Sequence, residues 1–214
     1  MRVGELFVII AIAIAVALTS CSGGQRAPTP VVLRAAGPAE LLAVSEFDAI
    51  SNRADRSRAL FGEVARVLRH PRCINCHPDG DSPHQRFAME PHDPPVVRGP
   101  ANNGVPGLEC TTCHQTHNQQ LTRVPGAPKW QLAPIDMAWF GKSVGYLCNE
   151  LKDPKRNGGR TLAKIIEHVS SDELVGWAWH PGADREPAPG TQAQLGALVK
   201  AWVDTGAECP EERP

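Results

Sequence analysis

Leu195, Leu198, Val199, Trp202 and Val203 recur at the i, i+3, i+4, i+7, i+8 spacing of one helix face, and Gly206 stops the pattern. Three earlier stretches carry similar stripes. Leu60, Phe61, Val64, Val67 and Leu68 form one, ended by Pro71; Val144, Leu147, Cys148 and Leu151 form another; Leu162, Ile165, Ile166 and Val169 form the third. Asn157-Gly158-Gly159 breaks the chain between the last two. No segment alternates apolar and polar residues as a half-buried strand must. Residues 78 to 134 hold ten of the 20 prolines and little periodicity, so they read as irregular chain. The expected fold class is mainly α, with long Pro/Gly-rich loops.

The first apolar run, Leu6 to Leu18 behind Arg2, has the length of a signal-peptide core and is too short to span a bilayer comfortably. It ends at Leu18-Thr19-Ser20-Cys21, which resembles the bacterial lipoprotein cleavage box, in which the cysteine is acylated. An ordinary signal peptide with a coincidental cysteine is the alternative. Ser22 in place of an acidic residue leans towards the outer membrane. Residues 22 to 38 are mostly Gly, Pro, Thr and Ala without periodicity, as a flexible tether is.

Composition sharpens the picture. Aromatic residues make up only 5% of the chain, while glycine (19) and proline (20) are abundant, so the helices have little with which to build a large core. Thin cores borrow stability from disulfides, metals or cofactors. A net charge of -1 gives no footprint for nucleic acid.

The chemistry lies in two short runs, Cys73-Ile74-Asn75-Cys76-His77 and Cys110-Thr111-Thr112-Cys113-His114. Both match the Cys-x-x-Cys-His attachment pattern for c-type haem. Two thiols three residues apart reach the two vinyl groups on one side of a porphyrin, and the adjacent histidine offers its imidazole to iron. A chain of this length with seven cysteines and eight histidines would hold on the order of 0.01 such patterns by chance. A zinc site would pool its ligands in one tetrahedral shell, and a redox Cys-x-x-Cys has no need of the histidine twice. Two covalently bound haem c groups are therefore expected.

After the haem cysteines and Cys21 are set aside, Cys148 and Cys209 remain, and in an oxidising compartment the simplest account is a disulfide between them. A buried free Cys148 with an exposed Cys209 is the alternative. Each iron also has a sixth position. The remaining candidates are His70, His84, His92, His117, His168, His180, Met89 and Met137. His92 is expected at one iron, because Pro91, Pro94 and Pro95 stiffen its segment and lower the entropy of holding an imidazole in place. His168 is expected at the other. At 100° per residue it lies roughly 105° from the centre of its helix stripe, at the edge of the buried face. Met137, in Pro134-Ile135-Asp136-Met137-Ala138-Trp139-Phe140-Gly141, is the alternative distal ligand.

Further segments carry a resemblance: His70-Pro71-Arg72-Cys73, Cys76-His77-Pro78, Arg98-Gly99, Pro125-Gly126-Ala127-Pro128-Lys129-Trp130, Leu132-Ala133-Pro134, Leu151-Lys152-Asp153, Asn157-Gly158-Gly159-Arg160 and Leu174-Val175-Gly176-Trp177-Ala178-Trp179-His180-Pro181-Gly182. In these the chain resembles bacterial dihaem c-type cytochromes labelled "isoquinoline 1-oxidoreductase subunit". The resemblance implies association with a molybdenum hydroxylase. Nothing in this chain offers a molybdopterin site or a four-cysteine iron-sulfur pattern, so hydroxylation would belong to other subunits.

The expected division is a lipoprotein signal peptide over 1–20, a tether over 21–45 and a cytochrome c-like dihaem domain over 46–214. The expected function is electron transfer in the periplasm, from a redox protein or dehydrogenase towards the respiratory chain. The acylated Cys21 would tie the chain to a lipid membrane. No catalytic residue is required. A haem enzyme such as a peroxidase, which needs an open iron, and a haem-based redox sensor are the rivals. Dihaem peroxidases have their motifs much farther apart than the 37 positions from Cys73 to Cys110.

Overall fold

The computed structural model describes residues 31–182 and 185–212, so the 1–20 segment and Cys21 lie outside the described residues. Seven α-helices, α1 (Arg53–Leu68), α2 (Pro71–Ile74), α3 (Cys110–Cys113), α4 (Val144–Lys152), α5 (Leu162–Ser171), α6 (Glu173–Gly176) and α7 (Gln192–Asp204), make the described chain mainly helical. Three 3-10 helices (Val44–Ala49, Ile135–Met137 and Trp177–Trp179) and two miniature antiparallel hairpins complete it: β1 (His84–Gln85) with β2 (Glu90–Pro91), and β3 (Gly104–Val105) with β4 (Leu108–Glu109). Two residues are too few for the alternation that marks a strand in sequence.

Each long helix starts where a short polar side chain caps its free amides. Asn52, Ser143, Thr161 and Thr191 accept hydrogen bonds from the backbones of Asp55, Tyr146, Lys164 and Gln194. The stripes then bury: α7 packs on α1 and α5, and α4 packs on α1. Phe61 and Trp202 meet at the centre with ring centroids 4.9 Å apart, and both are fully buried. Ser57 ties the same region together, donating to the Trp202 carbonyl and accepting from the Glu208 amide.

Cys148 on α4 and Cys209 in the C-terminal tail, 61 positions apart, form a disulfide. The core also begins earlier than the hydrophobic stripes suggest. Leu41 and Leu42, in the segment expected as tether, are buried at 5% and 4% exposure, and the Leu42 amide donates to Glu63 on α1. The folded body thus starts before residue 46. Two adjacent leucines in a segment without a regular period give no pattern to read.

Candidate haem-attachment sites

In the first motif the turn that follows α1 brings the thiols into place. His70 caps α2, Pro71 takes the first helical position, and Cys73 lies on that single turn. The turn continues with the Cys76 amide bonding the Cys73 carbonyl and the His77 amide bonding the Ile74 carbonyl. In the second motif α3 itself holds both thiols, Cys110 and Cys113, and the His114 amide bonds the Cys110 carbonyl. Residues three apart on a helical turn share a face with their Cβ atoms about 5–6 Å apart. All four cysteines are unpaired.

The two histidines sit in matching settings that their local sequences do not share. His77 Nδ1 lies 2.9 Å from the Met137 carbonyl, and its ring stacks on Trp139 at 3.4 Å between centroids and 13° between planes. His114 Nδ1 lies 2.7 Å from the Pro125 carbonyl, and its ring stacks on Trp130 at 4.5 Å and 9°. A carbonyl on Nδ1 fixes the proton there and leaves Nε2 as the free base, which is how metal-binding histidines are oriented. Burial pushes His77 down to about 3, with His168, Arg98 and Arg160 adding to the effect against the pull of the Met137 carbonyl. His114 is lowered by burial, with His92 and Arg185 acting the same way. Both imidazoles are therefore neutral at physiological pH.

The thiols point the same way. Burial raises Cys73 to about 12 and Cys76 to about 11, the latter with the added influence of neighbouring Cys110, and burial raises Cys110 as well. A redox-active Cys-x-x-Cys has a depressed thiol instead, so this environment is the reverse of a thioredoxin-like one. Among the described residues no three His, Cys, Asp or Glu side chains converge to hold a lone metal ion.

A short ladder of backbone bonds joins the two motifs. Ala133 donates to the Cys76 carbonyl, Leu132 to Asn102, and Cys110 to Asn103. Arg98 is buried in the middle, donating to the Gly80 carbonyl, Asn102 Oδ1 and the Ala133 carbonyl. Its Nε has no partner.

Of the two expected distal histidines, His92 lies beside the second motif, and His168 lies on α5. His92 approaches His114 with ring centroids 5.9 Å apart and planes 66° apart, and its own Nδ1 is 2.8 Å from the Pro94 carbonyl. His168 lines an open pocket of about 290 Å³ with Gly159, Arg160, Lys164, Glu167, Ser171 and Asp172. Its Nδ1 is 3.5 Å from Asp172, and its charge acts on His77. These residues fit a haem group at each motif: paired free thiols and a neutral imidazole with Nε2 free, with a second imidazole close by at the second motif.

Met137, the alternative distal ligand, meets His77 through its backbone. Its carbonyl holds the Nδ1 edge of His77, the edge away from Nε2, and its side chain is buried in the main core at 5% exposure. The remaining histidines have local roles or surroundings. His70 caps α2, His84 packs on Phe140 with a buried, unpartnered Nδ1, His117 is exposed, and the His180 carbonyl accepts from Asn118.

Trp139, Trp130 and Glu150 carry no motif and were not legible as site residues. Trp139 donates from Nε1 to Glu150 at 2.7 Å, and Trp130 packs on Trp177, whose Nε1 donates to Asn118. Arg98, Trp130 and Trp177 do fall within the segments that carry the cytochrome resemblance. No family model matches the chain, and no curated protein or solved structure matches it.

Proposed function

We propose that the chain is an exported, cytochrome c-like dihaem protein that passes single electrons. The observation that carries this reading is the duplicated setting: two Cys-x-x-Cys-His runs, each with its imidazole held at Nδ1 by a carbonyl and stacked on a tryptophan. Cys73, Cys76 and His77 would hold one haem and Cys110, Cys113 and His114 the other, with His168 and His92 as the second ligands. When bound, haem supplies one-electron iron chemistry with little change in shape.

The residues of this chain do the positioning. The Met137 and Pro125 carbonyls orient the two proximal rings, and Trp139 and Trp130 hold them flat. The ladder through residues 98 to 104 and 132 to 133 ties the two motifs into one unit, which suits electron exchange between the sites. The donor would be a periplasmic redox protein or dehydrogenase, and by the resemblance a molybdenum hydroxylase. Acylation at Cys21 would keep the domain at the membrane. A peroxidase or gas-binding sensor needs an iron with an open side, and His92 beside His114 disfavours that at the second motif.

The test is expression with the cytochrome c maturation machinery, followed by a haem stain on a denaturing gel and intact mass. The expected mass is that of the processed chain plus two haems. A mass showing none, or one, overturns the reading.

A further inference from the structure

The fully buried carboxylate of Glu150 sits at the Nε1 edge of the tryptophan that stacks on His77, and it belongs to neither motif. Its Oε1 accepts from Trp139 Nε1 at 2.7 Å, and Trp139 stacks on the His77 ring. Its Oε2 has no hydrogen-bond partner and faces Arg156 Nη2 at 3.8 Å. The charged groups acting on it are Arg156 from the loop after α4, with Lys142 and Asp136 from the segment before it. Arg156 and Lys142 also lie over the Tyr146 ring, at 4.4 and 5.2 Å. Among the ionisable residues of α1 and α5, Glu63 pairs with Arg66, Lys164 with Glu167 and His168 with Asp172. The second motif is built differently: the indole beyond Trp130 donates to the neutral amide of Asn118.

We propose that Glu150 is a positioning residue that couples proton uptake to electron uptake at the first haem site, acting through Trp139 and His77. This rests on the haem reading above. As one electron arrives from a redox protein, the positive charge at the site falls by one, and Glu150 takes up a proton from water to become a neutral carboxylic acid. On oxidation the electron leaves and the proton returns to water. A carboxylate buried this close favours the oxidised, more positive state, and in low dielectric the effect is not screened away. Burial raises Glu150 to about 7, against the opposing influence of the Trp139 hydrogen bond, so its charge changes in the physiological range.

The test is an optical redox titration of the two-haem protein across about pH 6 to 8, for wild type and Glu150→Gln. Glutamine keeps an acceptor for Trp139 and removes the charge. In the wild type, one of the two potentials should fall as pH rises while the other moves less. In Glu150→Gln that slope should vanish, and the potential should stay at the wild-type acidic limit. A merely structural residue would not place the variant at that limit. Two wild-type potentials that are both independent of pH overturn the proposal even if the variant does not fold. A slope that survives in Glu150→Gln overturns it too. Haem stain and mass on the same sample separate the two levels, because a chain lacking the first haem refutes the haem reading itself.

Discussion

His92 and His114 face one another with ring centroids 5.9 Å apart, and each has its Nδ1 tied to a backbone carbonyl. The arrangement has a spectroscopic consequence under the haem reading. His92→Ala should convert the second haem, half of the total, from low-spin to high-spin, and His168→Ala should do the same at the first. Ferric absorption spectra check both. Unchanged low-spin spectra in the two variants would remove these histidines as ligands, and a sulfur-to-iron band near 695 nm in the wild type would point to methionine instead.

The helices were legible because they are amphipathic and long enough to repeat. Leu60 to Leu68 and Leu195 to Val203 show their stripes in any reading of the chain, and α1 and α7 form there and pack together. The Cys-x-x-Cys-His runs were legible because their chemistry is local. The stacked pairs were not: Trp139 and Trp130 reach their histidines across long irregular connections, and no period links residue 77 to 139 or 114 to 130. Glu150 was hidden for a related reason. An acidic residue in a helix usually faces water, and only the tertiary structure shows this one buried and bonded to Trp139.

Gly126 sits where the chain folds back towards its own motif. A Cβ there would collide with the carbonyl oxygens of His117 and Gln115, which are backbone and cannot swing aside. Its amide also donates to Asn118, and the preceding carbonyl is the one that holds His114. Gly126→Ala should therefore displace Pro125 and loosen His114. The expected result is destabilisation by about 1–3 kcal/mol, read by chemical denaturation, together with a changed spectrum for one haem only. A variant with wild-type stability and both spectra intact would contradict the argument.

The Cys148–Cys209 disulfide anchors the tail beside α4, where the Trp202 indole donates to the Glu208 carbonyl. Closing a loop of this length restricts the unfolded chain, so Cys148→Ser with Cys209→Ser should cost about 3 to 4 kcal/mol. Denaturation of oxidised wild type against the double variant measures it. A loss below about 1 kcal/mol would mean that the tail is held by its other contacts.

The expectation of a lipid at Cys21 is independent of the fold. Cys21→Ala should release the protein from the membrane fraction into the soluble periplasm, with its haem content unchanged. If wild-type protein from its native host is already soluble and begins at another residue, acylation is the wrong account of the Leu18-Thr19-Ser20-Cys21 run.

Glu150 also sets a pH dependence of stability, and its sign follows from the burial of an acid. Its folded value is raised to about 7, above the ordinary 4.5, so the folded chain binds this proton more tightly than the unfolded chain. The resulting stabilisation is fully present below about pH 4.5 and is lost as pH rises through about 7. At 1.36 kcal/mol per unit the loss is on the order of 3 kcal/mol. Arg156 at 3.8 Å, with Lys142, already holds the folded value below where burial alone would put it. Glutamine at this position is neutral throughout and keeps an acceptor for Trp139. The stability of Glu150→Gln relative to wild type should therefore rise between about pH 4.5 and 7 and level off above. Denaturant midpoints across that range, read for both proteins, check the sign. A difference that stays flat would show that folding does not raise the Glu150 carboxyl above its ordinary value.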